Sequence, residues 1–121
     1  MTELFQGVPV DPTRGEAAAS GYDCRADTTN DRKTRFFAAV SSDGGQTFSS
    51  NAQLESGQSD VSLIDTDKYY PNVDYFDYTG LAYYGGSFYS AWADNSDSSG
   101  AGNDNPDVSA GMDVYVAKVE Y

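Results

Sequence analysis

The chain repeats itself, and this self-similarity narrows its possible folds more than any other feature. Ser20-Gly21-Tyr22-Asp23 lines up with Ser90-Ala91-Trp92-Ala93, each ending a short run in a large aromatic residue. Phe36-Phe37-Ala38-Ala39 lines up with Val114-Tyr115-Val116-Ala117, and the longer spacing of this second match is absorbed by the insertion Asn95–Gly111. Similarity at such a period marks supersecondary units that stack or follow one another round a ring.

Each unit reads as strands. The runs Leu4–Val10, Glu16–Tyr22, Thr34–Ser41 and Gln46–Leu54 are separated by turn-forming segments such as Asp11-Pro12-Thr13-Arg14-Gly15 and Asp43-Gly44-Gly45. That spacing predicts antiparallel strands joined by hairpins. A polar stretch, Glu55–Asp60, leads through Val61–Asp65 to a second set, Tyr78–Tyr84, Ser87–Asp94 and Met112–Tyr121. With 12 Gly, 10 Tyr and 6 Phe, the composition favours strands and turns over helices. The expected class is all-β. Residues 1–58 are read as one four-stranded unit and residues 59–121 as a second, incomplete one. Tyr22, Phe37, Phe48, Trp92 and Tyr115 are the expected buried aromatics, with Trp92 and Tyr115 between the two sheets.

Charge and the absence of certain residues narrow the function. Nineteen acidic residues against seven basic ones give a net charge of −12, which repels nucleic acid and anionic membrane surfaces alike. With no His and a single Cys, Cys24, the chain has neither a Ser-His-Asp nor a Cys-His constellation, nor an internal disulfide. No apolar run approaches the length of a membrane span.

Ser41-Ser42-Asp43-Gly44-Gly45-Gln46-Thr47-Phe48 fits the pattern S-x-D-x-G-x-T-[FW] at every fixed position. The spacing has a chemical reason. The Asp43 carboxylate and the Ser41 and Thr47 hydroxyls are placed to bond turn amides, Gly45 supplies a positive φ, and Phe48 is expected to fold back as an apolar plug. With Tyr22-Asp23-Cys24-Arg25, Asp77–Leu81, Trp92–Ser96 and Asp113–Val116, the motif resembles the BNR/Asp-box repeat proteins, a group that includes exo-sialidases.

The resemblance implies antiparallel four-stranded blades of a sialidase-like β-propeller, about one and three-quarter blades of it, from the C-terminal end of a bacterial secreted or surface member. Its expected setting is extracellular or on the cell surface. Its expected partners are other blades or copies of itself, and a glycan or protein ligand. In this family the Asp box lies on an outer hairpin away from the substrate funnel, so Ser41, Asp43, Gly45, Thr47 and Phe48 are expected to be structural. The sialidase Arg triad and Tyr-Glu pair find no counterpart, and no catalytic residue is carried over. The resulting expectation is a non-catalytic portion of a propeller, a scaffold or binding surface; the alternative is a fragment of a glycoside hydrolase whose catalytic residues lie mostly on other blades.

Two acidic loops offer oxygen donors. Asp23, Asp27 and Asp31 flank one; Asp94, Asn95, Asp97, Asp104 and Asp107 crowd the other, which is the better candidate for holding Ca²⁺.

Overall fold

A computed structural model describes residues 4–5, 10–11, 15–30, 32–60, 75, 79–96 and 113–119. They form two antiparallel sheets, and no helix occurs among them. In the first sheet β3 (Glu16–Asp23) and β4 (Lys33–Ser41) run the full height, paired from Ala17 with Ser41 to Asp23 with Arg35. Both flanking positions are filled by short pieces. β1 (Leu4–Phe5) and β2 (Val10–Asp11) pair with opposite ends of β3, and β5 (Ala52–Gln53) and β6 (Ser59–Asp60) pair with opposite ends of β4. Of the strand expected over Leu4–Val10, residues 6–9 lie outside the described residues; the one expected over Gln46–Leu54 is reduced to β5, because the Asp-box turn and the polar run behind it displace the chain from β4. Ser59 and Asp60, expected to open the second unit, close the first. The expected strand Val61–Asp65 lies outside the described residues.

The second sheet is β7 (Gly80–Tyr84), β8 (Ser87–Asp94) and β9 (Asp113–Val119) in that order. Gly85 and Gly86 join β7 to β8 with φ of 60° and 82°. Both central residues of such a two-residue hairpin need positive φ, which glycine adopts without a Cβ clash.

The two sheets face each other. Ala18, Ala38 and Val40 of the first pack with Phe88 and Val119 of the second at one end. At the other end Tyr22, Phe36, Tyr75 and Trp92 form a second cluster. Phe36 and Trp92 stack across the interface at 4.5 Å with a 5° interplanar angle, and Tyr75 stacks on Tyr22 at 4.5 Å. Between the clusters the buried hydroxyls of Ser20 and Ser90 meet at 2.9 Å, and the Tyr22 hydroxyl donates to the Ala93 carbonyl.

Three expected core aromatics differ from this picture. Phe36, fully buried, takes the place expected of Phe37; side chains alternate along a strand, so Phe37 is half-buried on the opposite face, under the Arg25 guanidinium at 5.0 Å. Tyr115 is half-buried against the Trp92 cluster. Phe48 is 44 % exposed and does not act as a plug, because β4 and its return segment leave only a shallow cleft beside it, lined by Val40, Ser42 and Ser49.

Two alignments of the sheets agree with the pairing of Asp23 with Arg35 and of Asp94 with Asp113. Tyr22 with Trp92 entails Phe36 with Tyr115, and matches the faces that pack, Ser20 meeting Ser90 at 2.9 Å. Phe37 with Tyr115 entails Asp23 with Asp94, and matches the strand-end aspartates, which accept from the Arg25 and Ser96 amides.

Candidate functional site

The break between β5 and β6 brings a carboxyl group into the sheet interface. The Leu54 amide donates to the Phe36 carbonyl at 2.9 Å, after which the chain bulges away from β4 until Ser59. Across that gap the Glu55 carboxylate replaces the missing main-chain acceptor, taking the Phe36 amide on Oε1 at 2.5 Å. Its Oε2 accepts from Trp92 Nε1 at 2.8 Å, and the same indole N–H reaches Asp94 Oδ2 at 3.0 Å. Only glycine fits at the crest of the bulge. A Cβ on Gly57 would lie 2.4 Å from the Ser96 Cβ.

Two carboxyl groups thus converge on one N–H, and their proton affinities separate. Burial pushes Glu55 up to about 8, reinforced by the hydrogen bond with Asp94 and by its charge. Burial also pushes Asp94 upward, but its bonds from Glu55, Ser96 and Ser59 outweigh that and hold it below the usual carboxylate range. Near neutral pH the pair holds one proton, on Glu55, donated to ionised Asp94. Like charges at this distance do not both ionise readily. A cleft of about 350 Å³ opens beside the pair, lined by Leu54, Glu55, Gly57, Ser96 and Tyr115.

Asn95 stitches the two sheets together next to this pair. Its side chain accepts from the Asp60 amide at 2.8 Å and donates to the Asp60 carbonyl at 2.9 Å, while its own amide donates to Ser59 Oγ at 3.0 Å. The side chain completes the pairing of Asp60 as another strand would.

At the Asp-box turn, Asp43 Oδ1 accepts from the Ser41 hydroxyl at 2.7 Å and from the Gln46 and Thr47 amides at 3.0 and 2.9 Å. Its Oδ2 accepts from the Thr47 hydroxyl at 2.6 Å. Ser41 Oγ in turn takes the Gly45 amide at 2.9 Å, and Gly44 and Gly45 have φ of 76° and 85°. The Thr47 hydroxyl and amide, then Ser41, lower Asp43 to about 2. Asp43→Ala is expected to remove hydrogen-exchange protection from the Gln46 and Thr47 amides at neutral pH, while core amides of β3 and β8 keep theirs. Unchanged protection at Thr47 would show that the carboxylate does not hold the turn.

The acidic loops are organised around the protein's own groups. Asp27 accepts from the amides of Thr29, Asn30, Arg32 and Lys33, led by Arg32, which lower it to about 2. Asp23 is bound to Arg25. In the second loop Asp94 and Asn95, expected as Ca²⁺ ligands, are buried and turned inward to Trp92, Glu55 and Asp60. Asp94 accepts from the Trp92 indole on Oδ2 and from the Ser96 amide on Oδ1. Asp31, Asp97, Asp104 and Asp107 lie outside the described residues. Among the described residues no three His, Cys, Asp or Glu side chains converge as metal ligands do.

Glu55, Tyr75 and Gly57 were not singled out by their sequence context. The one available signal was a Glu followed two residues later by Gly, inside a run otherwise read as a polar connection. No family model, curated protein or solved structure matches the chain.

Proposed function

We propose that this chain is a non-catalytic pair of blades from an Asp-box β-propeller, working as a scaffold whose free face takes up a further sheet of the same kind. The observation carrying this reading is the Asp-box turn, in which Asp43 takes the Ser41 and Thr47 hydroxyls and the Gln46 and Thr47 amides at the end of β4. It stands on an antiparallel sheet that buries Ala18, Ser20, Tyr22, Phe36, Ala38 and Val40 in a face-to-face packing with a second one, as neighbouring blades pack.

The outer face of the second sheet is the docking surface in this reading. Val114 and Val116 are 77 % and 67 % exposed, and Tyr84 and Tyr89 lie on the same face. Lys118 is the one charged residue among them, although the chain carries 19 carboxylates. A further sheet can therefore approach without carboxylate repulsion.

The carboxyl pair supports the non-catalytic part. Glycoside hydrolysis needs two carboxyl groups about 5–9.5 Å apart, flanking the bond to be cut. Glu55 and Asp94 instead share a proton and are bonded to Trp92.

In solutions of this chain alone, the nearest substitute for the missing sheet is a second copy. Sedimentation velocity is expected to show concentration-dependent association that Val116→Arg abolishes, with the circular dichroism spectrum unchanged. A wild type that stays monomeric at concentrations on the order of 100 μM, where weak interfaces already associate, would overturn the docking role of this face.

A further inference from the structure

We propose that the cleft between the residue 54–57 bulge and β9 is a docking groove for an extended, positively charged peptide, which adds a strand to β9 and lays a Lys or Arg side chain beside Glu55. This holds whether or not the sheets belong to a ring.

The position of the cleft carries the strand addition. Tyr115, Val116 and Ala117 all line it. Side chains alternate along a strand: Tyr115 and Ala117 pack toward the Trp92 cluster, and Val116, 67 % exposed, turns away from it. A cleft that touches all three runs along the border of β9 rather than over one of its faces. Among the described residues β9 is an outer strand of its sheet, with β8 on one side. Every second residue of an antiparallel strand turns both its N–H and its C=O away from the strand it is not paired with there, so this border offers main-chain donors and acceptors at regular spacing over seven residues. An extended peptide on such an edge gains affinity from main-chain bonds and specificity from the side-chain pocket it meets. Here the pocket wall opposite β9 is the bulge, where the chain has left β4, and the small residues Ser56, Gly57 and Ser96 line the cleft of about 350 Å³ that it leaves.

Charge selects the peptide. The chain has a net charge of −12, and neither Lys nor Arg is among the described residues lining the cleft. Glu55 stands on its wall, bonded to the same indole N–H as Asp94. Each Glu55 oxygen accepts one bond, from the Phe36 amide or from Trp92, and a carboxylate oxygen has a second acceptor position. Asp113 is exposed at the start of β9, while Lys118 shares the outward face with Val116. Trp92 and Tyr115 are the aromatic lining residues, and aromatic rings beside a carboxyl group suit an ammonium or guanidinium group. The acidic field of the whole chain draws in such a peptide and repels an acidic one.

Trp92 is the chain's single tryptophan and lines the cleft, so its emission reports occupancy. The probe is a capped hexapeptide of alternating valine and lysine, titrated at low salt; the controls are the same peptide with glutamate for lysine, and with its amides N-methylated. The lysine peptide should give a saturable emission change with a Kd below about 1 mM, weaken as salt is added, and shift the amide resonances of residues 115–117 rather than those of β7. Each control should bind about tenfold or more weakly. Ser56→Lys puts a cation on the cleft wall at an exposed position, so it should keep the fold and weaken the lysine peptide about fivefold. A lysine peptide without a saturable change up to about 1 mM, equal binding of either control, resonance shifts confined to β7, or wild-type affinity in Ser56→Lys would each overturn the docking groove.

Discussion

Replacing Trp92 by Ala is expected to cost about 3–5 kcal/mol, the usual range for truncating a buried Trp. Three losses coincide at this residue. The indole is 2 % exposed, so truncation leaves a cavity between the packed sheets. Its stack on Phe36 is the closest ring contact across the interface, and such pairs add about 0.5–1.5 kcal/mol beyond the area they bury. Its N–H is the shared donor to Glu55 and Asp94, and both lose a partner while still buried. Urea unfolding of Trp92→Ala, followed by far-ultraviolet circular dichroism, measures the total. Trp92→Phe separates the terms by keeping much of the stack and discarding the donor, and should recover most but not all of the loss. A Trp92→Ala protein within about 1 kcal/mol of wild type would mean that the sheets do not pack on this side chain.

Asn95→Ala should have the second-largest effect, about 2–3 kcal/mol. The residue is 2 % exposed and satisfies both main-chain groups of Asp60. Alanine leaves these groups without partners where water enters poorly, and an unmade bond at a part-buried donor or acceptor costs more than a made one contributes. The damage should also be local. Native-state hydrogen exchange at the Asp60 amide should accelerate far more than exchange in β3 or β8, because β6 has only two residues to hold it. Asn95→Asp is the stricter variant, since it removes the donor to the Asp60 carbonyl and adds a charge beside Asp94. Should Asp60 exchange at the wild-type rate in Asn95→Ala, the side chain is not what fastens β6.

The particulars show where sequence reading succeeds on this chain. The all-β class and the extents of β3, β4, β7 and β8 were legible because turn residues bracket each run, and glycines fall where φ must be positive. The Asp-box turn was legible because its bonds are local, within the seven residues from Ser41 to Thr47. Face assignment was not. Phe36 and Phe37 are adjacent and chemically identical, so only pairing with β3 decides which of them is inside. Glu55 was illegible for a different reason: a charged residue in a polar run is ordinarily solvated surface. Its burial depends on Trp92 and Asp94, which lie far away in sequence. Asp94 and Asn95 drew attention as oxygen donors; their bonds to the Trp92 indole, the Ser96 amide and the Asp60 main chain come from partners that no local pattern announces.

The divided flank of the first sheet on the β4 side bears on how this protein resists uncontrolled association. A long, straight outer strand presents a row of unpaired N–H and C=O groups that templates another chain. Here β5 and β6 contribute two residues each and the chain leaves β4 between them, so that border offers no uninterrupted ladder. The second sheet is bordered by β7 with five residues and β9 with seven. Strand-by-strand accretion is therefore favoured at the second sheet over the β5–β6 border. In β9 the alternation of Val114 and Val116 with Tyr115 and Ala117 gives that border the apolar, weakly charged character that such growth prefers, with Asp113 and Lys118 as its two gatekeeping charges.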